Sequence, residues 1–337
     1  MRYCLFFLIS LLIFSCQEEI TLDLPQAENK LVVEGGIEPG FPPYVILTKN
    51  QGYFDEINID TYNDLFVNNA DTVKVWCFDE TGEKYVKILD KVNLLDSFPP
   101  IYTDLNYDWS GNSIYEFSQE ERTYYLEIKW NNQIITAETY IPKSTPLDCL
   151  WVEQRENASK DYKCDIRAIY SDPANMQNNL FTKSKRIQHY TFNEDSCRTK
   201  NKPDFPLKIV DAGSDILING ESFEFYFGRP NDGGFPTAAY NAEHSKECTD
   251  GTILERDHDI VLIKFCQIDE PSLKFWRGLV RQAGTNGNPF AEPLNLVSNI
   301  NGGLGIWTGY SPVYYKVPII KNTVIFEQYT PNIEDIF

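Results

Sequence analysis

Tyr124-Tyr125-Leu126-Glu127-Ile128-Lys129-Trp130, followed by Asn131-Asn132 and then by Gln133 to Tyr140, is the passage that decides the fold. Successive side chains of an extended strand point to opposite faces. Tyr124, Leu126, Ile128 and Trp130 therefore form one face, with Tyr125, Glu127 and Lys129 on the other. Asn131-Asn132 is a two-residue turn, and Gln133 to Tyr140 returns as the partner strand. A period of two carried by β-branched and aromatic residues marks a sheet packed on one face, as in a sandwich.

The same pattern extends toward the amino terminus. Thr72 to Phe78 places Val73, Val75 and Cys77 on one face and Lys74 and Trp76 on the other, and Asp79-Glu80-Thr81-Gly82 turns the chain into Tyr85 to Ile88. Leu31 to Ile37 and Tyr44 to Thr48 read as a further pair, separated by Glu38-Pro39-Gly40 and Pro42-Pro43. Toward the carboxyl terminus, Ile141-Pro142-Lys143-Ser144-Thr145-Pro146 carries two prolines that deny ladder donors and hold the backbone extended, which marks a linker. The expected division is residues 26–142 for the first β domain and 147–337 for the second.

The second half is also mostly strand. Cys164, Ile166, Ala168 and Tyr170 alternate with Asp165 and Arg167, and Phe223, Phe225 and Phe227 with Glu224 and Tyr226. Asp259 to Asp269 has apolar residues on both faces, with Val261, Ile263 and Phe265 against Ile260, Leu262, Cys266 and Ile268, as in a central strand covered from both sides. One helix is expected after it. Asp269 or Glu270 caps the helix, Pro271 suits its first turn, Trp276, Leu279, Val280 and Ala283 share a stripe, and Gly284 closes it. A single helix among so many strands fits a plug in a barrel end or a cover on one sheet.

The chain opens with an address. Leu5 to Phe14 is an apolar run of about ten residues after Arg2, too short to span a bilayer, which takes roughly 20 apolar residues. It reads as a signal peptide over residues 1–15. Its end, Ile13-Phe14-Ser15-Cys16, resembles the lipobox of bacterial lipoproteins, in which the Cys16 sulfur is joined to diacylglycerol and the chain is cut before it. Residues 16–25 are then anchor and tether. Gln17-Glu18-Glu19 resembles the short acidic export signal that directs lipoproteins to the outer face of the outer membrane in Bacteroidota. Several acyl chains on one cysteine give stable anchoring without a membrane-spanning element. The periplasmic face is the alternative address.

The other cysteines past the signal are Cys77, Cys149, Cys164, Cys197, Cys248 and Cys266, and an exported protein lives where disulfides persist. Cys197 and Cys248 stand in polar stretches where burial stabilises a free thiol little, so they are the expected pair. Cys77, Cys164 and Cys266 lie in strand-like runs and read equally as small buried hydrophobes.

With 30 Lys+Arg against 49 Asp+Glu, the formal net charge is −19. No surplus of cations is available to neutralise phosphates, which excludes a protein that wraps nucleic acid. His189, His244 and His258 stand far apart, and none has a second ligand at metal spacing. No Cys-x-x-Cys, His-Glu-x-x-His, Gly-x-Ser-x-Gly or phosphate-cradling loop occurs, so no catalytic residue, metal or cofactor is expected. The densest oxygen-rich stretch, Asp55, Glu56, Asn58, Asp60, Asn63 and Asp64, lacks the spacing of a calcium loop and reads as a solvated loop. Aromatic residues are the remaining resource, gathered at Trp307, Tyr310, Tyr314 and Tyr315 and, in an apparent loop, at Tyr102, Tyr107 and Trp109. Most belong to cores. Trp109, flanked by Asn106, Asp108, Ser110, Gly111 and Asn112, is the best candidate for an exposed recognition residue, with Trp307 and Tyr310 next.

The lipobox, the Leu31-Val32-Val33-Glu34-Gly35 strand, the hairpin with its Ile141-Pro142 exit and a late block together carry a family resemblance. The block is Phe275-Trp276, Asn286-Gly287-Asn288-Pro289-Phe290, Asn299-Ile300-Asn301-Gly302-Gly303 and Gly305-Ile306-Trp307-Thr308-Gly309-Tyr310. From about Cys16 to Lys316 the chain resembles a Bacteroidota surface lipoprotein family of unknown function, DUF4249. The resemblance implies an all-β protein with an amino-terminal immunoglobulin-like β-sandwich, a larger β-sandwich or barrel domain with one short helix, and association with TonB-dependent outer-membrane transporters. It carries over no catalytic residue. Trp307 stands where the resemblance implies a smaller aliphatic side chain. The expected function is that of a non-enzymatic accessory or ligand-capturing subunit of such a transporter, lipid-anchored at the cell surface. The alternatives are a stand-alone carbohydrate- or peptide-binding lipoprotein and a hydrolase using paired acids. Copurification of a barrel transporter separates the first from the others.

Overall fold

The hairpin forms as its pattern dictates. In the computed structural model Arg122–Trp130 pairs antiparallel with Gln133–Ile141, with Ile128 opposite Ile135. Asn131 and Asn132 take φ of 47° and 61°, the two left-handed residues of a tight hairpin turn that asparagine tolerates. Tyr124, Leu126, Ile128 and Trp130 all point into a core. The described residues are 29–51, 58–93, 99–108, 113–154, 164–174, 176–187, 191–192, 199–200, 207–214, 219–228, 245–255, 259–285, 295–320 and 323–336.

This hairpin is the centre of a five-stranded sheet, in the order β19 (Ile300–Asn301), β8 (Gln133–Ile141), β7 (Arg122–Trp130), β3 (Thr72–Phe78) and β4 (Lys84–Ile88). An eight-stranded sheet runs β14 (Lys208–Ser214), β11 (Asn179–Ile187), β18 (Ile260–Ile268), β20 (Leu304–Pro318), β1 (Leu31–Ile37), β2 (Tyr44–Lys49), β6 (Ile101–Thr103) and β5 (Asp90–Val92). A four-stranded sheet runs β15 (Ser222–Gly228), β10 (Cys164–Ser171), β9 (Cys149–Gln154) and β21 (Val324–Ile325). Two small ladders pair β12 (Thr191–Phe192) with β13 (Thr199–Lys200) and β16 (Ser245–Glu247) with β17 (Ile253–Glu255). The protein is therefore an all-β sandwich protein.

The eight-stranded sheet serves two cores on one face. Its β1, β2 and β6 strands and the start of β20 close on the five-stranded sheet, burying Val33, Val45, Tyr102, Tyr124, Leu126 and Trp307. Its other end, with the remainder of β20, closes on the four-stranded sheet around Ile166, Tyr170, Val261, Phe265 and Tyr315. β20 belongs to both bodies. Leu304 to Gly309 pair in parallel with Val32 to Ile37, and Tyr310 to Pro318 pair antiparallel with Ile268 to Ile260. Residues 300–309, late in the chain, thus lie beside β1 and β8 in the first sandwich. Gly305 makes this possible: its φ is 103°, and a Cβ there would sit 1.9 Å from the Val33 carbonyl oxygen.

The proline-flanked segment after β8 runs extended and is pinned on both sides. Ser144 N donates to Glu120 Oε1 (3.0 Å), Leu147 N donates to the Tyr315 hydroxyl (2.7 Å), and Thr145 and Tyr170 share a hydrogen bond. Glu120 Oε1 also accepts from Ser311 Oγ in β20 (2.7 Å).

Three helices are described, not the single one expected: α1 (Ile59–Asp64), α2 (Glu270–Thr285) and α3 (Ile333–Ile336). α2 is the expected helix, and Asp269 is its cap, Oδ1 accepting from Ser272 N at 3.0 Å. It passes through Gly284 to Thr285. Asp269 Oδ2 accepts from Thr139 Oγ1 (2.8 Å) and Tyr140 N (3.0 Å), so one carboxylate joins this helix to β8. α1 corrects the loop reading for Ile59–Asp64; Asp55 and Glu56 lie outside the described residues. Asn58 Oδ1 accepts from Thr61 N and Thr61 Oγ1 accepts from Asn58 N, a reciprocal cap that a count of carboxylates does not reveal.

Candidate functional site

The outer face of the eight-stranded sheet, opposite the two sandwich cores, carries the most concentrated polar chemistry among the described residues. Register builds it. Lys183 of β11 stands directly opposite Lys264 of β18, and Lys264 opposite Tyr314 of β20; Gly36 of β1 stands opposite Tyr44 of β2. α2 covers one end of this face, packing Leu273 and Trp276 on Phe181, Cys266, Ile306 and Tyr310. The Trp276 and Phe181 rings stack at 4.9 Å, and the Trp276 indole N–H donates to Thr308 Oγ1 at 3.1 Å.

Beside the helix lies a buried ion pair. Lys264 donates to Glu38 Oε2, and the Tyr314 hydroxyl donates to Glu38 Oε1 at 2.8 Å, so both carboxylate oxygens are engaged. The Lys264 ammonium also lies over the Tyr310 and Tyr314 rings at 5.0 and 5.4 Å. Lys183 is half-buried, with its ammonium 5.4 to 5.7 Å from the ring centres of Trp276, Phe181 and Tyr310. Burial, with the like charge of Lys264 opposite, pushes its amine down to about 8. Burial pushes the Cys266 thiol up to about 12 and holds the Tyr310 and Tyr314 hydroxyls well above the ordinary phenol range. Near neutral pH these three groups are protonated.

On the far side of Tyr44 the same sheet face borders a cavity of about 280 Å³ with largely apolar walls. Phe41, Pro42, Tyr44 and Ile101 line it from the sheet and the β1–β2 turn, and Ile333 and Ile336 of α3 line it from the chain's end. Glu38 reaches the wall, already engaged by Lys264 and Tyr314. Thr103 reaches it too, with its hydroxyl donated to Pro43 O at 2.9 Å. α3 is tied back to β20. Tyr329 N donates to Tyr314 O (2.7 Å), Lys316 donates to the Tyr329 hydroxyl, and Asp335 Oδ2 accepts from that hydroxyl (2.7 Å) and from Asn332 N (2.9 Å).

Of the residues singled out in the sequence, Cys16, Gln17, Glu18, Glu19, Trp109, Cys197 and the three histidines lie outside the described residues. Trp307 and Tyr310 are not surface recognition residues. Trp307 is fully buried in the first sandwich, where its indole N–H donates to Tyr124 O (3.2 Å) and its backbone is bound by both ends of the Asn299 amide. Tyr310 is buried beneath α2, stacked on Phe181. Tyr102 lies in β6 and is buried, not in a loop, and buried Tyr107 meets Tyr115 edge to face. Cys77, Cys149, Cys164 and Cys266 form no disulfide bond, whereas Cys248 is disulfide-bonded, with its partner among residues not described. Among the described residues no cluster of three or more metal-ligating side chains occurs. Sequence reasoning missed Glu38, Lys183 and Lys264. The available signal was Lys264, a charge in the middle of an apolar strand where burial demands a partner.

Comparison with curated proteins finds no match. Among solved structures, the chain is similar to Salmonella α2-macroglobulin reacted with methylamine, at 10% identity, 76% coverage of this chain, 15% of that chain and a TM-score of 0.22. It is similar also to the native conformation of E. coli α2-macroglobulin, at 8% identity, 74% and 14% coverage and a TM-score of 0.21. The chain spans about 15% of the length of the first of these proteins, and neither likeness bears on function. The sequence pattern of one family, by contrast, matches residues 17–315, the shared strand up to Tyr315 included, and the chain belongs to that family, the domain of unknown function DUF4249.

Proposed function

We propose that the protein is a lipoprotein of the outer-membrane surface, anchored through Cys16, that serves as a non-enzymatic accessory or ligand-capturing subunit of a TonB-dependent transporter. The observation that carries this reading is the apolar run ending in Ser15-Cys16 with Gln17-Glu18-Glu19 behind it. Two features of the body support it. Among the described residues no helix is long and apolar enough to cross a membrane, so a lipid on Cys16 would supply the attachment. The two sandwiches are stitched by a shared strand and by Asp269 and Glu120, a stiff body suited to presenting a surface to a partner. Burial of Trp307 and Tyr310 weakens the alternative of a glycan platform built on those rings. We further assign Cys197 as the disulfide partner of Cys248.

The experiment is purification from native membranes in mild detergent through a carboxyl-terminal tag, with intact-mass analysis. A mature chain that begins at a di- or triacylated Cys16 and brings down a barrel transporter supports the proposal. An unmodified amino terminus, or recovery without any barrel protein, refutes it. Peptide mapping without reduction checks the Cys197–Cys248 bond in the same sample.

A further inference from the structure

We propose that the cavity between the outer sheet face and α3 binds one neutral, apolar small molecule, or the hydrocarbon portion of one, with α3 as a removable wall. Size comes first. An apolar cavity of roughly 150 Å³ accommodates benzene, so about 280 Å³ suits a two-ring compound or a medium-length alkyl chain. Chemistry comes next. Three side chains with polar atoms reach the wall at its sheet side; Glu38 and Thr103 have their hydrogen bonds made within the protein and the Tyr44 hydroxyl pairs with that of Tyr310, so they do not call for water inside. Apolar walls without such a demand favour an apolar occupant over ordered solvent. Charge selects further. Glu38 is the ionic group that faces the cavity, and Lys264, which neutralises it, is not among the lining residues. A ligand carboxylate would lose its hydration among apolar walls whose lining residues include no cation to pair with it, so a neutral ligand is preferred over its acid counterpart.

The wall that moves is α3. It is a single turn near the chain's end, its Ile333 and Ile336 are half-buried, and its attachment converges on one carboxylate, Asp335, through the Tyr329 hydroxyl and Asn332 N. The sandwich cores do not use these residues. The turn can therefore swing away without unfolding either sandwich, and this widens the opening the cavity already has to solvent. The site names a cargo chemistry for the capture reading but rests on the cavity alone. Its failure would leave the anchorage untouched, and the reverse holds.

The test uses the full mature chain with Cys16 replaced so that no lipid is present, and N-phenyl-1-naphthylamine as a neutral fluorescent probe. Saturable one-site binding is expected, displaced by 1-decanol at least about tenfold more effectively than by decanoate at pH 8, where the acid is ionised. Ile101→Asp places a charge on the sheet wall and is expected to weaken probe binding by more than about tenfold. Deletion of residues 333–337 removes the opposite wall; it should weaken binding and accelerate release while the thermal unfolding of the sandwiches persists. Non-saturable fluorescence, equal competition by decanoate, or undiminished binding in the deletion variant would each overturn the proposal. If Ile101→Asp does not fold, the deletion and the alcohol–acid comparison decide.

Discussion

Replacing Asp269 by alanine is expected to lower the stability of the whole protein by about 2–4 kcal/mol. Two losses combine. The helix loses its cap, worth about 1 kcal/mol, because Ser272 N no longer has an acceptor. Thr139 Oγ1, buried in β8, loses the charged acceptor 2.8 Å away while it still accepts from Gly309 N; a hydrogen bond to a charged group contributes about 1.5–3 kcal/mol. Tyr140 N loses the same acceptor but belongs to an exposed residue, so water replaces it at little cost. Asp269→Asn separates the parts. Asparagine caps about as well as aspartate, yet its single carbonyl oxygen cannot serve both Ser272 and β8, so a cost of about 1–2 kcal/mol is expected. Urea unfolding followed by tryptophan fluorescence gives both values, provided the slope with denaturant is unchanged. A double-mutant cycle with Thr139→Val tests whether the contact between bodies carries the effect, with a coupling of about 0.5–3 kcal/mol expected. A loss below about 0.5 kcal/mol in Asp269→Ala, or strict additivity with Thr139→Val, would refute the reasoning.

Three further outcomes follow from the same contacts. Heating the lipid-free chain should give one calorimetric transition for both sandwiches, because β20 cannot leave one core without leaving the other; two separable transitions would contradict this. The Lys183 amine, held at about 8 against 10.5 ordinarily, binds fewer protons in the folded than in the unfolded chain between those values. Lys183 therefore contributes stability that rises with pH from about 8 to 9.5, against the opposite contribution of the Cys266 thiol, and the urea midpoint of Lys183→Met should fall relative to that of the parent protein across this range. Burial works against ionisation of Asp104, but hydrogen bonds from Tyr115, Asn106 N and Lys87 hold its carboxyl below the ordinary value. That stability is fully present above its unfolded pKa and is lost as pH falls through the folded one. Asp104→Asn should thus cost about 1–3 kcal/mol at pH 7 and much less near pH 3.

The elements that could be read from the chain are those whose information is local. The β7–β8 hairpin, with Leu126 and Ile128 inward, follows from alternation and a two-residue turn. The covered strand β18 follows from apolar residues on both of its faces, and the α2 cap from an aspartate two residues before a proline. What could not be read is pairing over distance. Alternation assigns each residue of β20 to a face but says nothing of a strand that changes partner between Gly309 and Tyr310. Glu38 and Lys264 are 226 residues apart, so their pairing appears only once β1 and β18 flank the same strand. Trp307 and Tyr310 mislead for a related reason. Aromatics near glycines and asparagines look like a loop platform, yet those glycines let backbones approach closely enough for the rings to be enclosed.

The shared strand also sets an order for manufacture. A polypeptide leaves the ribosome amino end first, and residues 29–142 are complete long before 300–309 exist. Until then β1 and β8 each lack a neighbour, and the hollow that Trp307 fills stands vacant. The leading half is therefore an unfinished body with adhesive margins while some 160 further residues are made, and recombinant fragments cut at the proline-flanked junction inherit the same defect. Fragments for expression need residues 300–309 supplied with the leading half, in the same chain or as a separate peptide.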